Sequence, residues 1–285
     1  MLSIIIKLKS RLIRNAKTRH RYKYIQMAKL VTRRVSRAKW GVSYSVFDGE
    51  ELLEASIKSI RDSVDYVNVV YQRHSWYGNP ADKGLLPLLT RLQKSGLIDE
   101  LIEYVPNYDL SPGRQERQKR NIGLKYAKRR QVNYFMTMDC DEFYMAPDIA
   151  RAKREIIRRK ITHSFCDIAN YGIKPTERFL GGTVNYVQFF SKVCLFSKLA
   201  KKNKRNITLV DPTRQMSGCW GQRHWFLTNI QMHHMSQCRK NLYAKYENSS
   251  AKYVTSKRKK VTPQITRVSV PDYFGLMPLT EKWKK

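Results

Sequence analysis

The stretch YFMTMDCDEFYMAP, Tyr134 to Pro147, runs apolar until it meets Asp139, Asp141 and Glu142. Carboxylates at the end of a buried strand are costly unless a cation or a set of donors compensates them. Acids at i and i+2 of extended backbone point to the same side. Asp139 and Asp141 can therefore grip a hard divalent cation, Mn²⁺ or Mg²⁺, through oxygen. Such an ion keeps positions that substrate phosphates can fill. The triplet thus points to a metal that holds a diphosphate. An isolated D-x-D is more often an acidic turn or a helix cap; its place after an apolar strand is what favours the metal.

Something must carry those acids to a common rim. WGVSYSVF from Trp40 reads as a strand, aromatic and β-branched. In DGEELLEASIKSIRD, Asp48 stands as an N-cap with Glu51 at capping-box spacing, ahead of a helical repeat of Leu52, Leu53, Ser56, Ile57 and Ile60. YVNVVYQ is a second strand, KGLLPLLTRLQKSG a helix around Pro87, and LIDELIEYVP a third strand region. SPGRQERQKRNIGLKYAKRR is a long basic helix and VNYFMTMD a fourth strand. Strands alternating with helices at this spacing predict βαβ units in an α/β fold. Ligands of such sheets gather beyond the carboxyl ends of the strands, where Asp139 and Asp141 fall.

KRNIGLKYAKRRQVNYFMTMDCDEFY resembles the centre of a glycosyltransferase family 2-type enzyme with the GT-A fold. Arg120, Asn121 and Gly123 match its Arg-Asn-x-Gly helix, and Asp139 and Asp141 its D-x-D. WGVSYSVFDGEELLEASIKSI resembles that family's first strand and helix, so the likeness covers residues 40–145. It implies a nucleotide-diphospho-sugar transferase fold, a single mixed, mostly parallel sheet flanked by helices. It also implies transfer of a sugar from a nucleotide-diphosphate donor to a saccharide or lipid-linked acceptor such as a cell-surface glycan. The donor would be held around Phe47, Asp48, Gln72, Arg120, Asn121 and Asp139. Gln72 stands where many members carry a nucleoside-binding acid.

Beyond Pro147, DIARAKREIIRRK reads as a helix, and HSFCDIANYGI, TVNYVQFFSKVCLFSK, NITLVDP and RHWFLTNIQMHHM as strands. SQCRKNLYAKYENSSAKYVTSK reads as a closing helix whose Arg239 and Lys245 could meet the diphosphate or an acidic acceptor, though a solvated helix face is the stronger expectation. His233 and His234 end an apolar segment, and a neutral imidazole can complete a metal site. Only one of two neighbours on a strand can face that site. Several GT-A enzymes resemble this arrangement in a late histidine ligand. A general base is needed near the acceptor hydroxyl if transfer inverts; the late carboxylates Asp211 and Glu177 are the candidates. Trp220 and Trp225 can stack on a sugar ring as acceptor platforms.

The net charge is +32. Residues 1–39 hold 13 Lys/Arg and no acid, residues 251–285 hold 9 against Asp272 and Glu281, and 40–250 hold 33 against 21. This predicts a basic amphipathic arm over 1–39, a catalytic domain over 40–250 and a basic tail over 251–285. Apolar residues mixed into the first arm suit an anionic membrane surface, placing the enzyme on the cytoplasmic, inner face as a peripheral protein. Five cysteines without paired spacing argue against a disulfide framework and for a reducing compartment. The alternative class is a nucleic-acid-binding protein with metal-dependent phosphodiester chemistry, which charge and aromatics allow. Nucleic acid is the weaker expectation, because the basic runs flank the domain and no nucleic-acid motif is present.

Overall fold

The computed structural model describes residues 4–6, 16–180, 186–200, 211–219, 221–249 and 266–283. The chain enters through helix α1 (Ala16–Arg37). It then alternates β1 (Trp40–Val46), α2 (Glu50–Ile60), β2 (Tyr66–Tyr71), α3 (Leu85–Lys94), β3 (Glu100–Glu103), α4 (Pro112–Arg129) and β4 (Tyr134–Met138). After β5 (Glu142–Phe143) and α5 (Ala146–Arg159) come β6 (His163–Asn170), β7 (Glu177–Leu180), β8 (Tyr186–Lys192), β9 (Lys198–Leu199), β10 (Met216–Ser217) and β11 (His224–His234). Short helix α6 (Leu242–Asn248), β12 (Thr266–Ser269) and α7 (Met277–Lys282) complete the described chain.

One eight-stranded sheet runs β3-β2-β1-β4-β8-β6-β11-β5. β3, β2, β1 and β4 are parallel, as are β6 and β11. β8 and β5 pair antiparallel with their neighbours. The mixed α/β architecture implied by the resemblance to GT-A enzymes is the one found.

The alternation in β1 explains the layering. Trp40, Val42, Tyr44 and Val46 point into a core shared with Leu53, Ile57, Leu89 and Ile149 of the helices on that face. Each such side chain, fully buried, stabilises the fold by ~1.5–3 kcal/mol. The intervening Gly41, Ser43 and Ser45 are small. They let α4 lie close against the other face: a Cβ on Gly123 would meet the Ser43 hydroxyl at 1.9 Å. The glycine of the Arg-Asn-x-Gly match is thus required by helix–sheet contact.

Several expectations change. The capping box at Asp48 does not form, because Gly49 is the N-cap of α2. Asp48 and Glu51 instead reach across to Arg239 (3.0 Å) and the Lys240 amide (2.9 Å). Of the closing helix predicted from 236, Leu242–Asn248 is helical and 236–241 is not, the Asn241 side chain accepting from the Ala244 amide; its part from 250 on lies outside the described residues. The strand predicted over NITLVDP lies mostly outside the described residues, and Asp211 opens a 3₁₀ turn, Pro212–Arg214. Part of the expected basic tail is folded onto the body: Thr266–Ser269 pairs with Glu177–Leu180, and Leu276 is buried beside Leu52 and Phe143. Cys194 and Cys219 form a disulfide across a Cα separation of 5.6 Å, overturning the expectation of unpaired cysteines. The exit of β8 and the chain ahead of β11 converge there, which sequence spacing does not reveal. No helix among the described residues is long and apolar enough to cross a membrane.

Gly123→Ala is expected to lower stability by ~1–3 kcal/mol, the usual penalty of overpacking. Adding Ser43→Gly should return part of that loss, since it removes the atoms the new methyl would strike. Urea unfolding of the single and double variants reads both.

Candidate active site

The cleft forms where two neighbouring strands stop. β1 ends at Val46 and β4 at Met138. Ser45 near the end of the first strand, Phe47 and Asp48 beyond it, and Asp139 and Asp141 beyond the second border a cleft of about 240 Å³. The N-terminal half of α4 adds Glu116 and Lys119 to its wall, the last residue of β11 adds His234, and the chain after β11 adds Arg239 and Lys245.

The two aspartates of the D-x-D have different cationic partners. The backbone turns at Asp139, whose carbonyl accepts from the Glu142 amide at 3.3 Å, so the i and i+2 side chains diverge. Asp139, about a third of its side chain exposed, bonds Arg120 (3.1 Å) and Arg214 (2.6 Å). Asp141 faces Arg239 (2.6 Å) and Lys245 (2.9 Å). Their oxygens join two separate groups of ligating atoms, Glu116–Asp139–Asp211 and Asp141–Glu142–His234, each within 4.8 Å. Both aspartates nevertheless line the same cleft.

Arg214 ties the two groups together. It forks onto Glu142 at 2.5 and 2.7 Å and bonds Asp139 at 2.6 Å and Asp211 at 2.8 Å. Burial works to raise Asp139, but Arg120 and then Arg214 outweigh it and hold the carboxyl below its usual range. Asp211 is depressed in the same way, its burial overcome by Arg120 and Arg214. It also accepts from the Thr213 amide (2.8 Å) and hydroxyl (2.6 Å). With its oxygens so engaged, Asp211 is a weak base, contrary to the role expected of it. Burial pushes Glu142 up to about 7 against the pull of Arg214.

The outer group differs. Burial works to raise Asp141, yet Arg239, Lys245 and His234 leave it well below the carboxylate range. Burial brings His234 down to about 4, so its ring is neutral at pH 7. His234 Nδ1 lies 3.2 Å from the Asn170 amide oxygen, which assigns the proton to Nδ1. The Nε2 lone pair then faces Asp141 at 3.8 Å. A ring N–H held by a neighbour while the other nitrogen stays open is how metal-ligating histidines are set. Two donor atoms 3.8 Å apart can both reach an ion at ~2.1 Å. Asp141 and His234 therefore fit a divalent cation, with Glu142 behind them. His233 faces away, with Nδ1 2.7 Å from the Tyr171 hydroxyl and its ring against Phe274.

The other predicted residues separate into those that meet the cleft and those that do not. Phe47 and Asp48 line it. Arg120 is buried behind Asp139, bonded to Glu116, Asp139, Asp211 and Thr213, and does not face the open space. Asn121 clips β9 to α4 by exchanging hydrogen bonds with the Leu199 backbone at 2.9 and 3.0 Å. Gln72 is wholly buried and donates to the His74 carbonyl at 2.8 Å. Glu177 starts β7, 3.8 Å from Arg267, outside the cleft lining. Trp225 lies at the opposite end of β11 from His234, under the Arg159 guanidinium. Trp220 is outside the described residues.

Arg214, Lys119, Arg239 and Lys245 were missed or read as solvated cations. For the last two, the charge on a basic segment hid the pairing with Asp141. Nothing local marks Arg214 except its place three residues after Asp211.

No family model and no curated protein matches the chain. Among solved structures it is similar to S. aureus TarS residues 1–349, also seen with UDP and with UDP-GlcNAc, at 14% identity. That match covers 46% of this chain and 36% of the other, with a TM-score of 0.36 for the structure without ligand and with UDP. It is also similar to GalNAc-T7 with UDP, GalNAc and Mn²⁺, at 14% identity and TM-score 0.37, over 72% of this chain and 45% of the other. The chain thus spans less than half the length of these structures. With so little in register, the cleft's own geometry has to speak for its chemistry.

Arg214→Ala is expected to cost ~3–5 kcal/mol, because it strands the buried Glu142 and takes a partner from the part-exposed Asp139 and Asp211. Arg214→Lys should restore only a fraction, since an ammonium cannot fork. Thermal melts of both variants decide it. Burial lowers the Lys119 ammonium to about 7 from the ordinary 10.5. From pH 7 up to 10.5 the unfolded chain then binds more protons than the folded one at this site, so stability climbs with pH. Lys119→Met should flatten that rise relative to the parent in melts across the window.

Proposed function

We propose that the protein transfers a glycosyl group from a nucleoside diphosphate donor bound in the cleft between β1 and β4. One observation carries this reading: a neutral His234 and an ionised Asp141, fit for a divalent cation, share the space with Lys119, Arg239 and Lys245. Acidic and basic walls around one small cleft suit a metal diphosphate, which presents both charges at once.

Mn²⁺ or Mg²⁺ held at Asp141 and His234 would act as a Lewis acid for the leaving diphosphate. Arg239 and Lys245 supply charge-assisted hydrogen bonds to the same oxygens. The Phe47 ring and the β1 terminus border the donor end of the cleft. Asp48 lines both this cleft and an adjoining cavity of about 620 Å³ walled by Glu50, Glu51, Asp82 and Trp283. That cavity is the room for a saccharide acceptor, with Trp283 as an aromatic face. Asp48 accepts the proton of the acceptor hydroxyl as its oxygen bonds to the sugar. The sugar–phosphate bond breaks in the same event, and the diphosphate departs with the electron pair.

A panel of nucleotide sugars with Mn²⁺ tests the reading through released nucleotide and melting temperature. Stabilisation by a nucleoside diphosphate only in the presence of metal is the expected result. Asp141→Asn should remove it together with turnover, a loss of ~10²-fold or more. Asp48→Asn should cut kcat by ~10²–10⁴-fold while leaving donor-induced stabilisation in place. Indifference of the melting temperature to every nucleotide, with or without metal, defeats the proposal.

A further inference from the structure

The sheet has a second built edge, opposite the cleft. The C-termini of α1 and α5, the last residue of β8 and the Cys194–Cys219 disulfide enclose a cavity of about 550 Å³. Arg34, Arg37, Lys160 and Lys192 line it, and no carboxylate does. None of these four side chains has an ion pair or hydrogen bond among the described residues. Helix C-termini attract cations, which accounts for Arg34, Arg37 and Lys160 singly. It accounts neither for Lys192, which ends a strand, nor for four like charges gathered without an acid. Like charges in a recess repel, and an anion entering it relieves that repulsion.

Apolar side chains stand beside the recess. Leu195 is 83% and Phe196 68% exposed, on the loop directly after Cys194. They are large hydrophobic groups presented to solvent where the disulfide pins the chain. Trp225, 38% exposed with Arg159 4.4 Å above its ring, opens β11 on the same edge of the sheet. α1 approaches the recess with eight Lys/Arg and no Asp or Glu over its 22 residues, and exposes Tyr24, Ile25 and Met27. Cations surrounding a recess, with apolar tips and an aromatic ring beside it, match the headgroup layer of an anionic membrane. A nucleic acid offers the phosphates but no apolar phase for Leu195 and Phe196.

We infer that this edge is a membrane-docking surface whose recess receives the phosphate of an anionic lipid headgroup while Leu195 and Phe196 enter the acyl boundary. The inference rests on the base of the sheet and not on the chemistry of the cleft.

Co-sedimentation of the full chain with phosphatidylcholine vesicles, with and without phosphatidylglycerol, tests it. Binding to the anionic vesicles and not to the neutral ones is expected. Arg34→Gln, Arg37→Gln, Lys160→Gln and Lys192→Gln together should weaken that binding by about tenfold or more. A control removing four exposed cations elsewhere, Lys58→Gln, Lys83→Gln, Lys94→Gln and Lys174→Gln, should weaken it by less than about threefold. Leu195→Ser with Phe196→Ser should weaken it at unchanged melting temperature, which keeps the test independent of how the charge variant folds. Equal losses in the recess and control variants would reduce the effect to diffuse charge and overturn the inference. So would displacement by inorganic phosphate, which marks a free-anion site. Single-stranded RNA binding that falls in the recess variant while vesicle binding persists would make the edge a nucleic-acid face instead. Nucleotide-dependent melting of the same variants reports the cleft separately, so failure here leaves the glycosyl-transfer reading standing.

Discussion

Charge balance at the carboxyl ends of β1 and β4 is the constraint on which the rest of the site depends. Glu116, Asp139, Asp211, Glu142, Asp141 and Asp48 converge on one region, and burying carboxylates there without compensation is prohibitive. Arg120 and Arg214 neutralise the inner acids, Arg239 and Lys245 the outer ones. The division has a chemical result. Inner carboxylates are consumed by fixed guanidinium bonds and serve to hold the strand ends in register. Asp141 is almost wholly buried, and Arg239 and Lys245 both bond its Oδ2, while its Oδ1 stands 3.8 Å from the neutral imidazole of His234.

This arrangement also explains why a strongly basic chain needs acids at its centre. Arg214 comes from a turn far along the sequence, and Arg239 from the segment after β11. Each closes onto an acid beyond β4. The ion pairs are therefore tertiary fasteners between the first, parallel half of the sheet and the later part of the chain. The Asn121–Leu199 exchange and the Ser43–Gly123 contact fasten α4 in the same manner by neutral means.

The parallel half was legible because its signals are local. Alternation in WGVSYSV, helical repeats in α2 and the apolar run before Asp139 each fix an element from neighbouring residues alone. What stayed hidden depended on backbone turns and long-range partners. The spacing of Asp139 and Asp141 says nothing of the turn that follows Asp139 or of the different cations each aspartate meets. Asp211 was noticed as a late acid, though only its three-dimensional partners reveal that its lone pairs are spent. Trp225 carried the right chemistry for stacking on a sugar yet lies at the wrong end of β11. The Cys194–Cys219 pairing joins segments 25 residues apart whose meeting follows from strand order, not from spacing.

β1 runs seven residues from the recess edge to the cleft, ~23 Å at the rise of an extended strand. Were that edge to rest on a bilayer, as inferred above, the cleft would open at about that distance from the lipid surface.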